Sequence, residues 1–61
     1  IIQGMYARKQ RVRYACAKML GQLGKSARGA VPALRRVSYN DRSSSVRRRA
    51  KTSLQMILGN Y

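Results

Sequence analysis

The fold class of this chain is indicated first by residues 12–24, which read VRYACAKMLGQLG. Apolar or small side chains recur here at spacings of three and four residues, on what would be one face of an α-helix; they are Val12, Ala15, Cys16, Met19, Leu20 and Leu23. Ala17 and Gly21 fall outside this stripe, and Gly24 is a typical end of a helix. The stretch predicts an α-helix over about residues 12–24, with the stripe in the core and Ala17 and Gly21 facing outward.

The same pattern returns 34 positions later, in residues 46–58, which read VRRRAKTSLQMIL. The two stretches match position by position: Val12 with Val46, Arg13 with Arg47, Cys16 with Ala50, Leu20 with Leu54 and Leu23 with Ile57. One of Ser43, Ser44 and Ser45 is expected to cap the start of this helix, and Gly59-Asn60 to end it. A second α-helix is therefore predicted over about residues 46–58, with its apolar residues at the matching positions.

A shorter helix is predicted between these two stretches, over residues 30–39. Val31, Leu34 and Val37 share a helical face, and Pro32 falls in the first turn, where its missing N–H removes no helical hydrogen bond. Residues 40–43 (NDRS) have the composition of a turn. No alternating strand pattern occurs, so the sequence predicts an all-α fold.

These motifs together resemble the HEAT repeat, and most closely its short, regular HEAT-like variety first described in phycobilisome lyases. The resemblance rests on the VR start of residues 12–24, on AVPAL at residues 30–34, on Asp41 and on the VR start of residues 46–58. It covers roughly residues 12–58. It implies a HEAT-type α-solenoid built from antiparallel helix pairs, of which this chain holds about one and a half to two repeats.

The resemblance also implies how the chain divides, as one HEAT-repeat segment over residues 1–61 that belongs to a longer array. Residues 30–58 would form a complete repeat, with its outer helix at 30–39 and its inner helix at 46–58. Residues 1–24 would form a partial repeat, with its inner helix at about 12–24 and the end of an outer helix at 1–5. Between these, the chain either bends at Gly4 or continues as one long helix.

Three residues match the positions of the Asp and Arg that pair between neighbouring repeats of this family, namely Asp41, Arg13 and Arg47. The resemblance implies a structural role for them. Helical repeats have an apolar face that they cannot bury alone, and about three are needed for stability. Neighbouring HEAT repeats or self-association are therefore expected.

The charge balance is extreme, with 14 Lys and Arg residues against a single acid, Asp41, and a formal net charge of +13. A chain of this kind attracts polyanions such as nucleic acid, acidic proteins or an anionic membrane surface. With roughly 100° of rotation per residue, the outward faces of the two long helices form one predicted partner-binding surface. It carries Tyr14, Lys18, Arg48 and Lys51, with Arg8, Lys9 and Arg11 at its edge.

Two partners fit this surface, and a solvated face without a partner is the alternative to both. The first is an acidic protein surface held by Arg and Lys contacts. The second is the nucleic-acid backbone, bound without sequence preference by phosphate contacts and by stacking of a base on an exposed Tyr14. An anionic membrane surface is a weaker third partner, because no apolar face bearing Trp or Phe is present.

Catalysis and metal binding are not expected, because the chain has no His, one Cys and one Asp or Glu. General acid–base pairs, nucleophile–base pairs and metal sites need more members than these. Cys16 is predicted to be a small core residue. The sequence predicts no cofactor, no small-molecule substrate and no membrane span, since no apolar run approaches the ~20 residues that a bilayer requires.

Overall fold

The computed structural model describes residues 2–59, and the elements within them are helical. A 3-10 helix covers Ile2–Tyr6, followed by α1 (Gln10–Leu23), a second 3-10 segment (Gly24–Ala30), α2 (Val31–Asn40) and α3 (Ser44–Leu58). No strand occurs in residues 2–59. The predicted all-α fold is confirmed, and the three predicted helices lie within two residues of their expected bounds.

Each α-helix ends or begins at a residue that suits that position. Gly24 follows α1 with a φ of 59° and Gly59 follows α3 with a φ of 75°, both in the region that favours glycine. Ser43 caps α3, because its hydroxyl accepts a hydrogen bond from the backbone N–H of Val46 at 3.3 Å. Asn60, predicted to end α3 together with Gly59, lies outside the described residues, as do Ile1 and Tyr61.

The core lies where α1, α2 and α3 meet. α2 and α3 are joined by residues 41–43 alone, which makes them an antiparallel helical hairpin. Leu34 of α2 and Val46 and Ala50 of α3 are fully buried. The remaining buried apolar residues come from all five elements: Met5, Ala17, Leu20, Ala27, Ala30, Val37 and Ile57.

α1 and α3 pack side by side and run in the same direction. Tyr14 contacts Arg49, and one turn further along Ala17 contacts Ser53, so both helices advance together. The hydroxyl of Ser53 donates to the carbonyl of Ala17 at 2.5 Å. A Cβ placed on Gly21 would lie 2.9 Å from the Ser53 Cα, so glycine is required for this close approach.

The orientation predicted for α1 was wrong. Ala17 and Gly21, expected to face outward, are buried against α3, because small side chains let the two backbones approach. Within the predicted core stripe, Leu20 is buried and Cys16 is half-buried, whereas four positions are exposed: Val12, Ala15, Met19 and Leu23. The exposed four lie on the side of α1 that faces away from α3.

The segment before α1 follows neither alternative drawn from the sequence. The 3-10 helix Ile2–Tyr6 contains Gly4 without bending there, and α1 starts only at Gln10, after Lys9 in extended conformation. Gly4 packs directly on Cys16, where a Cβ would collide with the thiol. This contact fixes the 3-10 helix against α1 at a point where both residues are small.

Candidate functional site

The single carboxylate of the chain is used inside the fold. Arg13 Nε lies 2.7 Å from Asp41 Oδ2, and Arg13 Nη2 donates to Oδ1 at 3.1 Å, which gives a bidentate pair. The two side chains are only 12% and 6% exposed. The pair ties the start of α1 to the turn between α2 and α3.

The same two residues organise the backbone on both sides of the pair. Arg13 Nη1 donates to the carbonyls of Ala7 at 2.9 Å and Arg8 at 2.7 Å, so it also holds the segment that leads into α1. Arg47 Nη1 donates to the backbone carbonyl of Asp41 at 2.6 Å and makes no ion pair with its carboxylate. The predicted structural group of Arg13, Asp41 and Arg47 therefore meets at one place.

The pKa of Asp41 reflects this environment. Burial by itself raises the pKa of the carboxyl. The Arg13 side chain and the backbone N–H of Ser43 donate hydrogen bonds to it, and the charges of Arg13 and Arg42 act in the same direction. These effects outweigh burial and hold the pKa below its ordinary value of 3.8.

Because Asp41 is the single Asp or Glu of the sequence and is paired with Arg13, no second acidic side chain is available to the other cations. One side-chain ion pair occurs in the part of the chain that the structure describes, against 14 Lys and Arg residues in the sequence. The predicted partner-binding cations are all exposed: Arg8, Lys9, Arg11, Lys18, Arg48 and Lys51. Their positive charge is therefore presented to solvent.

Some of these cations meet in a shallow groove between the first halves of α1 and α3, which we call the basic groove. One part of it is lined by Lys9, Gln10, Arg11, Tyr14 and Ser45. The adjoining part is lined by Tyr14, Ser45, Arg48, Arg49 and Thr52. Tyr14 and Ser45 line both parts, which therefore adjoin each other. Arg8, Lys18 and Lys51 lie outside this lining.

Tyr14 lines both parts of the basic groove and is not the exposed residue expected from the sequence. It is half-buried and packs against the core. The Arg49 guanidinium lies 5.3 Å from the ring centroid, and Arg49 Nη2 donates to the Tyr14 hydroxyl at 3.1 Å. A cation over the ring is attracted by its negative face. This ring face is therefore occupied within the chain.

Arg49 and Ser45 belong to the groove and were missed by sequence reasoning. The predicted partner-binding surface does not include Arg49, and Ser45 enters the sequence analysis as one of three possible caps of α3. Arg49 and Tyr14 are 35 positions apart, close to the 34-residue offset between the two helices. Helices placed side by side in the same direction bring these two residues together only when the Tyr14 side of α1 faces α3.

Comparison with family models, with curated proteins and with solved structures finds no match to this chain. In residues 2–59, no helix combines the length and the apolar character needed to cross a membrane. Nor do these residues bring three His, Cys, Asp or Glu side chains together as metal ligands.

Proposed function

We propose that this chain is a segment of a HEAT-type α-solenoid that acts as a non-catalytic interaction scaffold and binds an acidic protein segment in the basic groove. The observation that carries this proposal is the set of cations along the groove, Lys9, Arg11 and Arg48, in a chain whose one carboxylate is already paired with Arg13. Such a surface is complementary to a row of Asp and Glu side chains.

The packing of the helices supports the solenoid part of the proposal. α1 and α3 carry matching sequences at an offset of 34 residues and lie side by side in the same direction, while α2 returns antiparallel to α3. α1 is thus one helix of a first repeat unit, and α2 and α3 form the helix pair of the next unit. The Arg13–Asp41 pair joins the two units across their boundary. Repetition of this kind is the structural principle of solenoids.

The state of Tyr14 favours an acidic protein over nucleic acid as the partner. Proteins that bind single strands without sequence preference combine cations with aromatic rings on which bases stack. In the basic groove the aromatic ring is Tyr14, which is half-buried and covered by Arg49. One face of this ring is thus taken by Arg49, while Lys9, Arg11 and Arg48 are exposed. Charge alone suits a peptide whose carboxylates follow the groove.

The test is a binding titration with two fluorescently labelled probes of equal formal charge, an Asp/Glu-rich peptide and a single-stranded oligonucleotide of random sequence. Lys9→Glu with Arg48→Glu reverses two charges in the groove, and Lys25→Glu with Arg35→Glu reverses two exposed charges outside it. Both variants have the same net charge, so a difference between them reports position. Far-UV circular dichroism checks that both retain their helix content.

We expect the groove variant to bind the peptide roughly tenfold or more weakly, because each exposed pair is worth about 0.2–1 kcal/mol and reversal replaces attraction by repulsion. The control variant should lose about threefold or less. Equal losses in the two variants would mean that binding follows net charge alone, and the groove would be rejected. Tighter binding of the oligonucleotide at physiological salt, with a steep salt dependence, would assign the surface to nucleic acid.

A further inference from the structure

The offset of 34 residues allows α1 and α3 to be compared position by position. α3 contacts α1 through Arg49 and Ser53, and Val46 and Ile57 lie buried beside these two. The matching positions of α1 are Val12, Ala15, Met19 and Leu23. These four positions of α1 therefore correspond to the face of α3 that packs against α1.

This α1 face is uncovered in residues 2–59. Val46, Ser53 and Ile57 are 0–2% exposed, whereas their counterparts Val12, Met19 and Leu23 are 38%, 49% and 51% exposed. Met19 lies roughly 160° around the helix from Ala17, which faces α3. An apolar depression continues the face at its far end and is lined in part by Ile2, Leu20, Leu23, Ala27 and Ala30. Contiguous exposed apolar faces are where partner surfaces dock.

The exposed face of α3 differs from the face of α1 on which α3 packs. α1 receives α3 on Tyr14, Ala17 and Gly21, and the matching positions of α3 are Arg48, Lys51 and Gln55, all exposed. The Gly21 position tolerates no Cβ when a helix is docked, because that atom would lie 2.6 Å from the Ser53 hydroxyl. A Gln at the matching position prevents α3 from receiving a helix as α1 does.

From this asymmetry, and resting on the proposed solenoid architecture, we infer that the Val12–Ala15–Met19–Leu23 face of α1 docks an α-helix from outside residues 2–59. The occupant runs parallel to α1 and presents an aromatic or small residue, an Ala and a Gly at the spacing of Tyr14, Ala17 and Gly21. It is not a second copy of this chain in head-to-tail contact. In such a copy the Tyr14 stripe is covered by its own α3, and the corresponding α3 surface carries Arg48 and Lys51.

The experiment builds the occupant from the chain's own sequence. Residues 10–43 are duplicated in tandem, so that the second Gln10 stands where Ser44 stood and the second α1 can dock on the Tyr14 stripe of the first. Urea unfolding is compared for the parent chain, the duplicated chain and two single variants of the latter. In one variant Met19→Lys is made in the second copy, and in the matched control it is made in the first copy.

We expect the duplicated chain to unfold cooperatively at a higher urea concentration than the parent. Met19→Lys in the second copy should lower the folding equilibrium constant of the duplicated chain at least roughly tenfold, because this Met becomes buried on docking. In the first copy, where Met19 is still exposed, the same change should have little effect. Equal effects of the two substitutions, or a duplicated chain that folds but is no more stable than the parent, would overturn the inference.

A further measurement on the parent chain keeps the inference testable if the duplicated chain fails to fold. Sedimentation should show a monomer, and Met19→Lys in the parent should leave its stability nearly unchanged, since Met19 is 49% exposed. A dimer that Met19→Lys dissociates would show that a second copy covers this face, which contradicts the inference.

Discussion

The Arg13–Asp41 pair makes the most specific prediction about stability. Asp41→Asn keeps the shape of the side chain but removes the charge that faces Arg13, together with one of the two charge-assisted acceptors. Removing one partner of a fully buried pair costs about 3–5 kcal/mol. Arg13 keeps its hydrogen bonds to the carbonyls of Ala7 and Arg8. We therefore expect a smaller loss, of about 2–4 kcal/mol.

A loss of this size is large for so short a chain. At roughly 0.05–0.15 kcal/mol per residue, 61 residues correspond to a free energy of unfolding of about 3–9 kcal/mol. Urea unfolding followed by far-UV circular dichroism, at low temperature, measures the difference. Combining Asp41→Asn with Arg13→Gln in a double-mutant cycle isolates the pair, and we expect a coupling energy of at least about 1 kcal/mol.

The pH dependence tests the same pair independently. Because the pKa of Asp41 is lower in the folded chain than in the unfolded chain, the pair stabilises the fold fully above the ordinary value of 3.8. This stabilisation is lost as the pH falls through the lower, folded pKa. The wild type should therefore lose stability below about pH 4, and Asp41→Asn should lack this loss. An unchanged acid sensitivity in Asp41→Asn, or a coupling energy near zero, would refute the reasoning.

Two further predictions concern glycine and the cap of α3. Gly21→Ala should destabilise the fold by about 1–2 kcal/mol, since overpacking against Ser53 outweighs the gain in helix propensity. Gly29→Ala should stabilise the fold by about 0.4–1 kcal/mol, because a Cβ at this position meets nothing within 4 Å. Both changes are measured by urea unfolding, and the same sign for both would contradict the close approach of α1 and α3. Ser43→Ala should cost about 0.5–2 kcal/mol, because the N–H of Val46 loses its acceptor, and thermal unfolding of this variant beside an exposed Ser44→Ala control checks it.

The positions and ends of the helices could be predicted from the sequence, because local chemistry determines them. Pro32 in a first turn, Ser43 as a cap and Gly24 and Gly59 as ends act through the backbone next to them. The all-α class followed from apolar spacing in the same way. These features need no knowledge of what packs against the helix.

The face of α1 that contacts α3 could not be predicted. Apolar spacing indicates which face of a helix is expected to be buried, but not which element of the fold packs against it. Val12 and Met19 belong to the predicted apolar stripe yet lie away from α3, while the contact is made by Ala17 and Gly21. Small residues add little to an apolar pattern, although they permit the closest approach. The basic groove depends on this orientation, so Arg49 was missed for the same reason.

The use of Asp41 inside the fold has a consequence for how binding could be controlled. The chain contains no His, the side chain that ordinarily changes charge between pH 5 and 8. Its one carboxylate is held ionised by Arg13, so moderate acidification does not alter the field that a partner meets. Ionic strength does alter that field, since the distance over which exposed charges act falls from about 10 Å at 0.1 M salt to about 3 Å at 1 M. Occupancy of the basic groove should therefore respond to salt and to competing polyanions, and should change little between pH 5 and 8.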